Sequence, residues 1–180
     1  LDHQIERYNP LTGALVAWVK IPLLSTSVDT DIKMHYGSPL GVSDPSLEST
    51  WDPNYQAVYH FTNDMIDKTI NTNDLTNFGA TPNTTGIAAR CINFGAGDFV
   101  TSPSDPSLHI TGDLTVSTWV NFNTLQLGAN ENSLVSYGGN AENAVTNKLY
   151  SFNVDGTGQL RILWENGAGV DETYTSTGVI

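Results

Sequence analysis

The residues best suited to chemistry in this chain are acids and amides gathered in two turn-rich stretches. The first holds Asn63, Asp64, Asp67, Asn71, Asn73 and Asp74; the second runs from Asn140 through Asn143 to Asn147 and continues to Asn153 and Asp155. Hard Ca²⁺ takes roughly six to eight oxygen ligands, which carboxylates, amides and loop carbonyls supply. Calcium is the cofactor these clusters suit, with Asn63, Asp64, Asp67, Asn153 and Asp155 as candidate ligands. The competing explanation is that Asp and Asn collect in turns because they hydrogen-bond their own backbone. No EF-hand spacing selects one ligand set.

Other signatures are missing. His3, His35, His60 and His109 are scattered, and no Ser, Cys or Asp stands at a triad or zinc spacing from them. Gly138-Gly139 and Gly167-Ala168-Gly169 lack the lysine and the strand-to-helix setting of a phosphate loop. Cys91 is the single cysteine, so no intrachain disulfide forms; beside Ile92 and Phe94 it reads as a small buried thiol. Asn83-Thr84-Thr85 is a glycosylation sequon, a pattern that most often marks a surface turn. Sugar recognition needs aromatic faces beside amides and carboxylates. Trp51, Trp164, Tyr137 and Tyr150 lie nearest polar loops, and Tyr137, Asn140, Asn143 and Trp164 form the candidate ligand-binding set. Trp18 and Trp119 sit in strand-like runs and are expected in a core or interface.

These groups must be carried by β structure. Charged residues make up only 14% of the 180, and hydrophobic ones 39%, enough for a core. A formal net charge of −12 repels nucleic acid and anionic membrane surfaces, and no apolar run approaches the length of a membrane helix. Helical periodicity is nearly absent, whereas alternation marks strands at Asp31–Tyr36 and Leu114–Val120. Further strands are expected at Ala14–Ile21, Gln56–Phe61, Gly97–Thr101, Ser133–Tyr137, Lys148–Val154 and Gln159–Trp164. Asp155-Gly156-Thr157-Gly158 predicts a hairpin between the last two. Linker chemistry between Gly37 and Trp51, with two prolines and many small residues, places a boundary there; Ile70–Thr85, rich in Asn and Thr, reads as a second soft stretch. The start at Leu-Asp-His and the strand-like Thr177–Ile180 suggest a piece of a longer chain.

The run Ala89-Arg90-Cys91-Ile92-Asn93-Phe94-Gly95-Ala96-Gly97-Asp98-Phe99-Val100, the turn Ser102–Ile110 and the stretch Asp113–Val120 together resemble the opening of LamG, the concanavalin A-like jelly roll. Tyr55–Phe61 looks like that family's first strand, Asp67–Asp74 like its Asp- and Asn-rich turn, and Asn153–Leu160 like its central hairpin. Gly95 departs from the family's usual Asp. Residues 1–50 resemble the closing part of a domain of unknown function that commonly adjoins LamG in bacterial and archaeal surface proteins. The matching residues are His3–Glu6, Thr12–Pro22 and Asp29–Gly37.

The resemblance implies an all-β chain: a partial β module over 1–50, then a concanavalin A-like jelly-roll sandwich over 51–180 that is truncated at its C-terminal end. It further implies a non-catalytic, extracellular or cell-surface recognition or adhesion module, with the virion surface as the alternative location. Its expected partners are a carbohydrate or protein ligand and neighbouring subunits or other segments of the same large chain; nucleic acid and membrane insertion are not expected. The alternative is a structural spacer or assembly module in a filament, sheath or virion. A glycoside hydrolase, the third reading, would need two carboxyls, about 5 Å apart in a retaining enzyme. On this fold they commonly lie in a Glu-x-Asp-x-x-Glu motif, which does not occur here.

Overall fold

The computed structural model describes residues 1–37, 48–62, 64–127, 132–138, 149–165 and 171–179. The chain is all-β, with antiparallel strands and, among the described residues, two short 3₁₀ turns at Glu48–Thr50 and Pro106–Leu108. Among the described residues no helix is long and apolar enough to cross a membrane. Two compact units divide at Asp105 and Pro106. The boundary expected at residue 50 falls inside the first of them.

The first unit holds three two-stranded ribbons. Strand β1 (His3–Tyr8) pairs with β2 (Leu15–Val19), β3 (Thr76–Phe78) with β6 (Phe99–Thr101), and β4 (Thr81–Thr85) with β5 (Arg90–Asn93). The β1–β2 turn forms because Asn9 Oδ1 accepts the amides of Leu11 and Thr12, while Gly13, at φ 72°, donates its amide to the Asn9 carbonyl. On β1 the period of two turns Gln4 and Glu6 inward and leaves Ile5 and Arg7 outward.

Between the ribbons, residues 55–75 are tied by side chains. The buried Asp67 carboxylate accepts four hydrogen bonds: Oδ1 from the amides of Val58 and Thr69, and Oδ2 from the Thr69 hydroxyl and the Asn73 amide, at 2.8–3.0 Å. Asn71 and Asn73 donate their side-chain amides to the Gln56 carbonyl, and the Tyr59 hydroxyl donates to the Asn73 carbonyl at 2.6 Å. The strand expected at Gln56–Phe61 is therefore absent. Asx and hydroxyl groups supply the partners that a neighbouring strand would otherwise provide.

The second unit is built on a four-stranded antiparallel sheet in the order β10-β9-β8-β7, where β7 is Asn132–Tyr137, β8 Tyr150–Val154, β9 Gln159–Glu165 and β10 Asp171–Val179. Strand β8 is covered on both faces: Tyr150 and Val154 are buried on one, Ser151 and Asn153 on the other. The Asp155 hairpin joins β8 to β9 as expected, with Gly158 taking the positive φ of 85°. Strand β10 breaks register between Thr175 and Val179, where the Ser176 hydroxyl accepts the Leu160 amide in place of a ladder carbonyl.

Other expectations are corrected. Asp31–Tyr36 and Leu114–Val120 join no sheet among the described residues, because alternation supplies a face but not a partner backbone. Of the core or interface expected for Trp119, the core is excluded, since the residue is 82% exposed. The stretch Ile70–Thr85 is not uniformly soft, since β3 and β4 lie within it. Cys91 is only half-buried, with its thiol donating to the Thr85 carbonyl at 3.4 Å.

Candidate functional site

The most elaborate side-chain arrangement lies in the first unit. Gln4 is buried, and its amide orientation is fixed at both ends: Nε2 donates to the Lys68 carbonyl at 3.3 Å, and Oε1 accepts the Trp51 indole N–H at 2.8 Å. Oε1 can only accept, so His60, whose Nε2 lies 2.9 Å away, carries its proton on Nε2. The other ring nitrogen, Nδ1, faces Glu6 Oε2 at 3.6 Å, and that oxygen accepts the Trp18 indole N–H at 2.7 Å. The imidazole lies nearly parallel to the Trp18 indole, with centroids 6.0 Å apart and 15° between planes. Trp51 completes the box, 5.3 Å from Trp18 and 5.9 Å from His60, with Tyr55 edge-on at 5.0 Å.

Burial holds His60 below its ordinary value of 6.5, outweighing the opposing pull of the Glu6 carboxylate. Lys68 reinforces that lowering and Asp64 opposes it. The neutral imidazole is thus the form this box prefers.

Trp51 also faces outward. It lines an open cleft of about 440 Å³ together with Lys20, Glu48, Ser49, Pro53 and Ile70. The 3₁₀ turn carries Glu48 and Ser49 to the rim, closing with the Trp51 amide on the Glu48 carbonyl at 3.1 Å. Lys20, just beyond β2, spans to the same turn and donates Nζ to the Ser49 carbonyl at 2.9 Å. The cleft presents one indole, two aliphatic surfaces and charges of both signs. That combination offers apolar contact to the face of a small ligand and hydrogen-bonding groups to its edge.

The candidate ligand-binding residues fall in the second unit or outside the described residues. Tyr137 and Trp164 flank Tyr150 in one cross-strand row that continues to Glu172. Tyr137 stacks on Tyr150 at 5.6 Å and meets His109 edge-on at 6.0 Å. Tyr150 is buried, and its hydroxyl donates to the Leu108 carbonyl at 2.9 Å. Tyr137 is thus committed to packing at its ring, while Trp164 keeps 39% of its surface exposed. Asn140 and Asn143 lie outside the described residues, as does the expected calcium ligand Asn63.

The remaining calcium candidates are engaged within the protein. Asp64 pairs with Lys68 Nζ at 3.0 Å, and Asp67 is saturated by its four donors. Asn153 Oδ1 accepts the Ser151 hydroxyl at 2.9 Å. Asp155 Oδ1 accepts the Thr157 hydroxyl and the amides of Thr157 and Gln159, and these bonds, the Thr157 hydroxyl foremost, hold its carboxyl below the usual range. Among the described residues no three His, Cys, Asp or Glu side chains converge into a metal-binding group.

No family model, curated protein or solved structure matches this chain. Its functional reading therefore rests on the geometry above. Sequence reasoning placed Trp51 among the aromatics near polar loops but missed Gln4, Glu6, His60, Lys20 and Glu48. The one available signal was polar Gln4 and Glu6 at strand spacing in His3-Gln4-Ile5-Glu6, which reads equally well as a solvated face.

Proposed function

We propose that this chain is a non-catalytic recognition module of an extracellular surface protein, that it binds neutral carbohydrate, and that the Trp51 cleft is its binding site. The second unit is read as part of a LamG-type jelly roll. The observation that carries the binding proposal is the Trp51 indole, held by Gln4 at the wall of an open cleft whose rim bears Lys20 and Glu48. A fixed aromatic face stacks on the C–H face of a pyranose, and rim charges of both signs donate to and accept from its hydroxyls. The cleft volume lies in the range of small-ligand sites and suits one or two sugar rings. Calcium forms no part of the proposal; both Asp67 carboxylate oxygens and Asp155 Oδ1 accept from protein donors.

Calorimetric titration of the whole chain with a panel of neutral oligosaccharides tests the reading. Binding to at least one sugar is expected, with loss of about tenfold or more in a Lys20→Ala, Glu48→Ala double variant that melts like the parent. Equal binding by that variant, or none by the parent across the panel, overturns it.

A second reading is an assembly or spacer module. It is favoured by Trp119 and by the unpaired Ile32, Met34 and Tyr36, all at least half exposed. Sedimentation of the chain separates the two, since an assembly module self-associates at micromolar concentration and a monovalent recognition module stays monomeric.

A further inference from the structure

The cleft holds few polar groups, and some of them are already engaged. The Trp51 indole N–H is taken by Gln4, so the indole offers a bound molecule its ring alone. The Ser49 carbonyl is taken by Lys20, whose ammonium keeps two of its three N–H bonds. The Glu48 carboxylate, on an exposed side chain, has no partner among the described residues. Glu48 and Lys20 line the same cleft without forming an ion pair with each other. What remains for a ligand is an acceptor-only group, a donor-only group and the Ser49 hydroxyl, set beside an apolar wall of Trp51, Pro53 and the largely exposed Ile70.

We propose that the cleft selects a 2-acetamido sugar, such as an N-acetylglucosamine residue, over the plain hexose of the same shape. This names the class of sugar and rests on the reading of the cleft as a carbohydrate site given above.

An acetamido group matches the free groups one for one. Its N–H donates to the Glu48 carboxylate, its carbonyl accepts from the Lys20 ammonium, and its methyl lies on the apolar wall while the pyranose stacks on Trp51. A planar trans amide points its donor and its acceptor in opposite directions, which suits a carboxylate and an ammonium that share a cleft but do not pair. A hydroxyl in the same place donates and accepts through one oxygen and brings no methyl to Ile70 or Pro53.

Charged sugars are disfavoured from both sides. The carboxylate of an acidic sugar meets Glu48 and a chain of net charge −12, and a protonated amino sugar meets Lys20. Acetylation of that amine removes the charge and adds the methyl. The plain hexose forgoes one buried methyl and one amide's hydrogen bonds, which together correspond to about tenfold or more in affinity.

Chitotriose and cellotriose share a chain of three β-linked rings and differ only in carrying an acetamido group or a hydroxyl on the second ring carbon. Calorimetric titration of the whole chain with each is expected to show chitotriose binding about tenfold or more tightly. Glu48→Ala removes an exposed side chain, so it should melt like the parent while bringing chitotriose down to about the affinity of cellotriose. Ile70→Ser should narrow the gap by weakening chitotriose alone. Equal binding of the two sugars by the parent, tighter binding of cellotriose, or a preference that persists in Glu48→Ala overturns the acetamido selection. In those three cases the carbohydrate reading of the cleft stands, provided the Lys20→Ala, Glu48→Ala double variant loses the binding. Binding of neither trisaccharide also overturns the selection, and it overturns the cleft reading as well only if every other neutral sugar fails to bind.

Discussion

The indole N–H of Trp51 donates to the side-chain carbonyl of Gln4 at 2.8 Å, so the wall of the cleft is anchored on the first strand of the protein. One buried amide serves three partners there, because the same oxygen takes His60 Nε2 and the amide nitrogen reaches the Lys68 carbonyl. Replacing Gln4 with Leu leaves two ring N–H groups and a carbonyl without their acceptor or donor. The expected loss is about 3 kcal/mol of unfolding free energy. Urea denaturation measures it, and a loss under about 1 kcal/mol would show that the network is slack.

Asp67 anchors the segment from Val58 to Asn73 by accepting from four donors. In Asp67→Asn one acceptor oxygen becomes an NH₂ group that faces two donors. A destabilisation of about 2–4 kcal/mol is expected. If the four bonds account for the role of Asp67, thermal melts of parent and variant will be the same with calcium and with chelator. A melting temperature of the parent that falls in chelator would instead assign the carboxylate to an ion.

Thr72 has φ 54°, a left-handed conformation that β-branched side chains rarely adopt. Strain of this kind costs about 1–3 kcal/mol. Thr72→Asn, which tolerates that region, should stabilise the protein by about 1 kcal/mol. A melting temperature that falls would mean the threonine side chain contributes more than its backbone costs.

Tyr150 ties β8 to the 3₁₀ turn at Pro106–Leu108 through its hydroxyl. Burial first, and the neighbouring Tyr137 second, push its phenol above the ordinary 10.0. An acid raised in the folded state stabilises below its unfolded value and loses that contribution as pH rises through the folded one. Stability should therefore decline above about pH 10. Tyr150→Phe should cost about 1 kcal/mol at neutral pH and flatten the alkaline decline. Guanidinium unfolding at pH 7 and pH 10.5 checks both.

The strands that were legible in the sequence are those whose neighbours are close in the chain. The β8–β9 hairpin combines Asp155-Gly156-Thr157-Gly158 with apolar alternation on either side, so turn and strands predict each other. Gln56–Phe61 is a comparable apolar run, but its partners include the side chains of Asp67, Asn71 and Asn73, which no periodicity announces. Asp31–Tyr36 and Leu114–Val120 show the opposite failure, a clear strand face with no described strand beside it. The box was hidden for a further reason. Gln4, Glu6 and His60 are residue types that composition assigns to the surface, and only the distant pairing of Trp51 with Gln4 shows that they are buried.

The exposed apolar faces of Ile32, Met34 and Tyr36 and of Trp119 also bear on how the molecule behaves in a crowd of its own kind. Such faces invite copies to zip together, and neutral amide and hydroxyl side chains do little to prevent it. Against this acts a net charge of −12, a long-range repulsion that salt screens and acid removes. Colloidal stability thus depends on the acidic balance of the chain. It should fail near the isoelectric point of about 4.3, where copies meet uncharged.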